Sequence, residues 1–233
     1  MATLHHLARA QELIQQADIC IFDIDGTLLN SRDAVHYFAF LNAIREVFKV
    51  EANTDGIHMH GNTDIGILRA VATRAGIPAR ALENELPRII SRMCAEVEAN
   101  SKDLRPELCP SIRELVSSLH DRGKILGVAT GNFETIGWAK LRAAGLRDYF
   151  TFGAFSDPHE TRPAIFQHAL TLAHKVLPDA TVVLFGDTPA DISAARATGI
   201  PVIALATGIF PLAELERHSP DAAFSCCSDL FPA

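Results

Sequence analysis

The sequence has little of what several classes of protein require. No apolar run approaches the roughly 18 residues that cross a bilayer, so we expect no membrane partner. Only 21 Lys and Arg stand against 28 Asp and Glu, for a net charge of −7. Nucleic acid is therefore not an expected partner either, because it binds basic surfaces. The first residues lack the apolar centre of a secretory signal, and we expect a cytoplasmic protein.

Cysteine is scarce and shows no metal-binding or disulfide pattern. The five cysteines are odd in number and form no C-x-x-C pair. This usage is typical of reduced thiols in a cytoplasm. We expect the adjacent Cys226 and Cys227 to be free, because a disulfide between neighbours is strained.

The chain does contain short β-branched apolar runs that alternate with helical patterns. The runs predict strands at residues 18–23, 124–130, 149–155, 181–187 and 201–207. Several stretches between them carry apolar residues at helical spacing and end in glycine. The alternation is typical of an α/β fold with a Rossmann-like, doubly wound parallel sheet.

One long interval interrupts this alternation. Residues 32–104 show helical patterns and no convincing strand, over far more residues than the dozen or so of an ordinary crossover. We therefore predict an inserted all-helical cap domain at 32–104, with hinges near 30–33 and 101–107. Residues 1–31 and 105–233 would then form the Rossmann-like core.

Polar residues follow three of the predicted strands at the point where each strand ends. In chain order they are Asp23, Asp25, Thr130, Gly131, Asn132, Asp187 and Asp191. Ligands of open parallel sheets bind beyond the carboxyl ends of the strands, so we expect these residues to meet in one crevice.

Four carboxylates in one crevice would repel one another, which calls for a divalent cation. Oxygen ligands without paired His or Cys favour Mg²⁺ over zinc. Mg²⁺ commonly binds a substrate phosphate as well, and T-G-N at 130–132 offers a hydroxyl and backbone N–H groups at a helix start. An aspartate can act as a covalent nucleophile there, because the metal and the donors neutralise the phosphoryl oxygens.

These motifs resemble those of the haloacid dehalogenase-like hydrolase superfamily. F-D-I-D-G-T-L at 22–28 is similar to its first motif, V-A-T-G-N at 128–132 to its second and L-F-G-D-T-P-A-D-I at 184–192 to its fourth. The resemblance covers nearly the whole chain and points to the phosphoglycolate phosphatase-like branch. It implies a Mg²⁺-dependent phosphatase that hydrolyses a small phosphorylated metabolite through an aspartyl phosphate.

The resemblance also implies a role for each matching residue. Asp23 is the nucleophile, and Asp25 is the general acid and then the general base. The implied phosphate-binding residues are Thr130, Gly131 and Asn132. The implied metal ligands are Asp23, the backbone carbonyl of Asp25 and Asp187, with Asp191 nearby or acting through water.

The third motif departs from the family pattern. The family most often has a lysine there, whereas the matching stretch at 156–166 offers Arg162. Arginine would clamp a phosphate bidentately, so we assign Arg162 to catalysis and substrate binding. Lys140, about two turns along the helix after T-G-N, is the alternative for this role, and the other interpretation of Arg162 is a solvated surface arginine before Pro163. The dehalogenases themselves lack an acid two residues after the nucleophile, so Asp25 favours phosphate chemistry.

Other interpretations stay open at this point. Asp-Gly is ordinary turn chemistry, and Asp187 and Asp191 could simply start and cap a helix. A phosphomutase or a non-catalytic phosphate-binding relative would share the same motifs, as a monomer or a homodimer. In the predicted cap, segment 56–64 is the least helical, and we expect its His58, His60 and Asn62 to contact the non-phosphate end of the substrate. A solvent-exposed connection between helices is the alternative.

Overall fold

Within residues 2–30 and 34–230, which the computed structural model describes, the chain forms eight β-strands and nine α-helices. The strands are β1 (Ile19–Phe22), β2 (Leu29–Asn30), β3 (Glu107–Leu108), β4 (Ile125–Ala129), β5 (Phe152–Ala154), β6 (Val182–Gly186), β7 (Val202–Leu205) and β8 (Ala222–Phe224). The helices are α1 (Ala2–Gln16), α2 (Ala34–Phe48), α3 (Asp64–Arg74), α4 (Ala79–Ala99), α5 (Ile112–Asp121), α6 (Glu134–Ala143), α7 (Arg162–Val176), α8 (Pro189–Thr198) and α9 (Leu212–Arg217). None of these helices combines the length and the apolar character that crossing a membrane requires.

Six strands form one parallel sheet in the order β5-β4-β1-β6-β7-β8. The central strand β1 pairs with β4 on one side and with β6 on the other. All four residues of β1 are buried, as expected for a parallel strand that helices cover on both faces. Separate apolar clusters lie on the two faces, one with α1 and α5 and the other with α7 and α8. This confirms the predicted α/β fold with a doubly wound sheet.

Three short strands, β2, β3 and β8, were not predicted from the sequence. The five predicted strands are all present, but β8 was not predicted, because three residues with two alanines give too weak a β signal. β2 and β3 have only two residues each and pair antiparallel with one another through Leu29 and Leu108. β2 lies where the chain leaves the main sheet for the helical insert, and β3 lies where it returns. Their pairing therefore holds the two connecting segments side by side.

The described residues between β2 and β3 contain only helical elements and their connections: α2, α3, α4 and a 3₁₀ turn at Ser101–Asp103. Their apolar side chains form a third buried cluster, which also takes in Phe133 and Ile136 at the start of α6. The inserted helical cap is therefore packed onto the helix that follows β4. Its predicted boundaries at 32–104 stay a prediction, and residues 31–33 of the first proposed hinge lie outside the described residues.

All five cysteines are free thiols. Burial raises the pKa of Cys20 and of Cys109 to about 12 and that of Cys94 to about 11. These three thiols stay protonated at neutral pH and are poor nucleophiles.

Candidate active site

A cavity of about 450 Å³ opens beyond the carboxyl ends of β1 and β4 and extends beneath α2 of the cap. Its core side includes six of the predicted site residues and Lys140, the alternative residue for the third motif. In chain order the six are Asp23, Asp25, Thr130, Gly131, Asn132 and Arg162. Asp187 and Asp191 are buried next to Asp23 and do not line the cavity.

Asp23 lies at the floor of the cavity and is almost fully buried, at 1 % exposure. Its Oδ1 is 3.3 Å from Nη1 of Arg162, and the same nitrogen is 2.9 Å from Oδ1 of Asp191. Burial raises the pKa of Asp23 to about 7; Arg162 opposes this rise, and the charges of Asp191 and Asp25 add to it. The Asp23 carboxylate is therefore short of positive partners.

Arg162 is the first residue of α7 and is only 8 % exposed. The interpretation as a solvated surface arginine is therefore wrong. Pro163 follows at the second helical position, where a missing N–H costs nothing, and the helix start directs the guanidinium towards the ends of β1 and β6.

Asp187 follows β6 and packs against two glycines. Thr27 donates its hydroxyl hydrogen to Oδ1 of Asp187 at 3.1 Å. A Cβ on Gly26 would lie 2.1 Å from Oδ2 of Asp187, and a Cβ on Gly208 would lie 1.8 Å from it. The lack of side chains at both positions is what gives this carboxylate its room. Burial, then the charges of Asp191 and Asp23, hold the pKa of Asp187 well above its usual range.

Asp191 does cap a helix, as one interpretation proposed, but it also contacts the cluster. Its Oδ2 accepts hydrogen bonds from the backbone N–H and the hydroxyl of Thr188, and its own N–H donates to the Thr188 hydroxyl in a capping box. Its other oxygen, Oδ1, faces Arg162. The cap therefore fixes the side chain with one oxygen directed at the buried cluster.

The acidic cluster has the chemistry of a divalent-cation site. Carboxylate oxygens of Asp23, Asp187 and Asp191 lie within 4.8 Å of one another. In the part of the chain that the structure describes, the ion pairs of these three carboxylates are made with Arg162 alone. An oxygen-only donor set with excess negative charge fits a hard cation such as Mg²⁺. The Asp25 carboxylate lies outside this group, and its backbone carbonyl stays a predicted ligand.

Asp25 has an entirely different set of partners from Asp23. Nζ of Lys140 donates to both of its oxygens, at 2.7 and 2.9 Å, and Nδ2 of Asn132 donates to Oδ2 at 2.7 Å. Burial would raise the pKa of Asp25, but the Lys140 charge and hydrogen bond and then the Asn132 amide outweigh it and hold the pKa below its usual value. Asn132 also bonds the Thr130 hydroxyl at 2.8 Å, which ties the second motif to Asp25.

Arg162 and Lys140, the two candidates for the third-motif cation, lie at different places in the site. Arg162 lies beside Asp23, whereas Lys140, only 2 % exposed, lies against Asp25 and donates to Oδ1 of Asn132 at 2.9 Å. The bond between Lys140 and Asp25 was not predicted. The sequence contained one indication of it: Lys140 lies on α6 about two turns after Asn132, so its side chain is on the same side of the helix as the residues at the helix start.

Asp64 was missed altogether, although it joins the cap to the core. Its backbone N–H donates to the Gly131 carbonyl at 2.7 Å, and its Oδ2 accepts from the Phe133 N–H at 2.8 Å. His36 Nε2 lies 3.3 Å from the same oxygen. A Cβ on Gly131 would lie only 2.3 Å from the carbonyl oxygen of Asn62. The cap loop therefore packs directly on the loop after β4.

The cap segment at 56–64 reaches the cavity in part. His60 and Asn62 line it, together with Met59 and Gly61, whereas His58 is exposed outside it. The Asn62 amide donates to the His58 carbonyl at 3.2 Å and its Oδ1 accepts from the Thr63 N–H. The predicted contact with a substrate therefore falls on His60 more than on its neighbours.

Comparison with known proteins agrees with this geometry. The model of the family described as haloacid dehalogenase-like hydrolase matches residues 20–205. The chain is 28 % identical to a phosphoglycolate phosphatase of Synechococcus elongatus over 216 residues, which cover 91 % of this chain and 95 % of that protein. A phosphoglycolate phosphatase of Nitrosococcus oceani is 24 % identical over 218 residues, with 90 % and 93 % covered.

Solved structures share the fold. The structure of CbbY from Rhodobacter sphaeroides in complex with phosphate superimposes with a TM-score of 0.67 at 19 % identity, over 92 % of this chain and 99 % of that one. A "predicted phosphoglycolate phosphatase" of Haemophilus somnus gives 0.68 at 23 % identity, over 92 % and 96 %. At these identities the two structures support the fold and no more.

Proposed function

The chain belongs to the haloacid dehalogenase-like hydrolase family, and from that premise we propose that it is a phosphatase that hydrolyses a small phosphomonoester through an aspartyl phosphate. The observation that carries the proposal is that two acids separated by a single residue have opposite electrostatic environments. Asp23 lies in an acidic cluster beside Arg162, and Asp25 is ion-paired with Lys140. Two carboxylates in different environments can take different roles in one reaction.

Asp23 is the proposed nucleophile. Its carboxylate oxygen attacks phosphorus, the bond from phosphorus to the ester oxygen breaks, and that oxygen leaves with a proton from Asp25 as the alcohol. Water then attacks the phosphorus and gives its proton to the Asp25 carboxylate, so that inorganic phosphate leaves and Asp23 is regenerated. Asp25 is suited to the second half in particular, because Lys140 and Asn132 favour its ionised form.

The phosphate would bind between the second motif and Arg162. Thr130, Gly131 and Asn132 line the cavity next to Asp23, and Arg162 lines it from the start of α7. The Arg162 guanidinium carries the positive charge that the transferring phosphoryl oxygens need, and its buried position spares it competition with water.

Asp23, Asp187 and Asp191 would hold the metal, for which we propose Mg²⁺. When bound, the cation supplies charge neutralisation for the phosphoryl oxygens and for the acidic cluster itself. The raised pKa values of Asp23 and Asp187 support this assignment, because a buried acid pair of this kind gains from a nearby cation.

Phosphate release from small phosphomonoesters tests the proposal. We expect inorganic phosphate and free alcohol to accumulate in equal amounts with Mg²⁺ and to stop with a chelator. Asp23→Asn should reduce kcat by at least about a thousandfold, as removal of a nucleophile does. The exposed Asp121 offers a matched control, because Asp121→Asn changes the same group away from the cavity. Transfer of phosphate to a second hydroxyl of the product, without net release, would show a phosphomutase instead.

A further inference from the structure

The cap side of the cavity is formed by aromatic and aliphatic side chains. We call these the apolar wall: Tyr37, Phe38, Phe40, Met59 and Ile67. The rings of Tyr37 and Phe38 pack edge to face with centroids 5.3 Å apart. The Tyr37 hydroxyl is within 3.1 Å of the Thr54 hydroxyl, so its polar end is already satisfied within the cap. The ring itself faces the cavity as apolar surface.

Phe38 is the unusual member of the apolar wall. It is 50 % exposed and lines the cavity beside the other apolar side chains of the wall. Contiguous apolar surface of this kind, unlike a single exposed apolar residue, commonly marks a binding site. Phe40 and Ile67, by contrast, are buried and give the wall a fixed backing. A ring bound against Phe38 would cover its exposed face and gain a stacking contact.

The lysine and the arginine that line the cavity already have acidic partners. Among the lining residues that the structure describes, the lysine and arginine side chains are Lys140 and Arg162, which pair with Asp25 and with Asp23 and Asp191. Asp64 adds an acid close to His36. Arg162 is also the residue proposed to bind the phosphate, so it is not available to a second anionic group on the substrate. Such a group would lose its hydration against the apolar wall, where His60 and Asn62 are the nearby polar side chains of the described cap segment.

The cavity is also larger than a two-carbon leaving group needs. Its volume of about 450 Å³ falls in the range of roughly 300–1,000 Å³ that holds ligands of drug size. The wall and the phosphate end at Asp23 and Thr130 line the same cavity. A single molecule can therefore occupy both regions.

We propose that the substrate is a phosphate ester of an alcohol that carries an aromatic ring and no carboxylate, and that the apolar wall binds the ring. This inference rests on the proposed phosphatase function and names the class of its substrate. The phosphate end binds at the core motifs, and the ring lies against Phe38 and Tyr37 under α2.

A panel of three esters tests the proposal: 2-phenylethyl phosphate, 2-phosphoglycolate and glycerol 3-phosphate. All three can release a primary alcohol, so differences in kcat/KM report binding of the leaving group more than its chemistry. We expect kcat/KM to be at least about tenfold higher for 2-phenylethyl phosphate than for the other two. Equal or higher values for 2-phosphoglycolate would overturn the inference and leave the phosphatase function standing. No phosphate release from any ester would overturn both.

Phe38→Ala tests the contribution of the apolar wall by itself. Because Phe38 is half exposed, its removal should leave the packing of the buried residues intact. We expect the ratio of kcat/KM for 2-phenylethyl phosphate to that for 2-phosphoglycolate to fall about tenfold, and Phe38→Tyr to restore most of it. Val176→Ala, which truncates an exposed apolar residue at the end of α7, is the matched control and should leave the ratio unchanged. An unchanged ratio in Phe38→Ala would rule out the wall as the binding surface of the ring.

Discussion

Replacing Asp23 by asparagine should stabilise the metal-free protein while removing its activity. The Asp23 pKa of about 7 lies about three pH units above its ordinary value of 3.8. The folded state therefore holds its proton to a higher pH than the unfolded state does. The advantage that this gives the folded state is complete below about pH 3.8 and is lost as the pH rises to about 7.

The size of the expected change in stability follows from the shift of the Asp23 pKa. At about 1.4 kcal/mol for each pH unit, ionising Asp23 costs the folded state up to about 4 kcal/mol above pH 7. Asparagine keeps the shape without the charge, so Asp23→Asn should raise the free energy of unfolding by about 2–4 kcal/mol at pH 8. For a chain of this size that corresponds to a rise in Tm of about 5 °C or more. At pH 5 the gain should shrink to less than half.

Asp25→Asn is the matched control, because the same substitution two residues away should act in the opposite direction. Lys140 and Asn132 hold the pKa of Asp25 below its usual value, so its ionised form stabilises the fold above the unfolded pKa, and that contribution is lost as the pH falls. The substitution also leaves the Lys140 ammonium without its carboxylate. We expect a lower Tm than wild type at pH 8.

Thermal and urea unfolding in the presence of a chelator, at pH 5 and pH 8, measures both effects. Circular dichroism of the folded variants checks that the sheet and helices are intact. The reasoning is refuted if Asp23→Asn unfolds at or below the wild-type temperature at pH 8, or if both substitutions shift Tm in the same direction.

The remaining predictions concern activity. Arg162→Ala should lower kcat/KM for every phosphomonoester by about a hundredfold, with partial recovery in Arg162→Lys. Lys140→Ala should slow turnover of alkyl esters and of p-nitrophenyl phosphate alike, because Lys140 favours the ionised Asp25 that accepts the water proton in the second step, which all esters share. Gly131→Ala should reduce kcat/KM for all esters without loss of helix content, because its Cβ would displace the cap loop. His60→Ala should change the ranking of substrates, and His58→Ala, outside the cavity, should not; circular dichroism and kinetics on the ester panel measure these outcomes.

The acids at the strand ends were predictable because two local facts were enough to locate them. A buried parallel strand is recognisable in the sequence as an apolar run. The residue after that run lies at the carboxyl end of the strand, where ligands of such sheets bind. Asp23, Thr130 and Asp187 each follow such a run directly, and Asp25 comes two positions after Asp23. Their meeting then required only that β1 lie between β4 and β6, which the doubly wound order provides.

The bond between Lys140 and Asp25 could not be predicted in the same way. The two residues are 115 positions apart, and their contact depends on how α6 is rotated against the sheet. Asp64 depends in turn on how the cap packs against the loop after β4. The apolar wall is even harder to predict from the sequence. The spacing of apolar residues predicts an ordinary amphipathic helix for α2, and it does not distinguish a ring that faces a cavity from one that packs in the core of the cap.

The separation of the two acids also has a local cause in the turn that follows β1. Residues two apart on a strand point to the same face, so a continued strand would direct both carboxylates at the same partners. Two acids that share a site compete for ionisation, and one of them is then driven to hold a proton. The strand instead ends at Phe22 and the chain bends at Ile24, between the two acids, before it turns away at Gly26, whose φ of +94° is one that other residues rarely adopt. Asp23 stays with the cluster around Arg162, and Asp25 reaches the second motif and Lys140. The turn therefore gives the proposed nucleophile and the proposed acid–base group separate partners, which the division of labour between them requires.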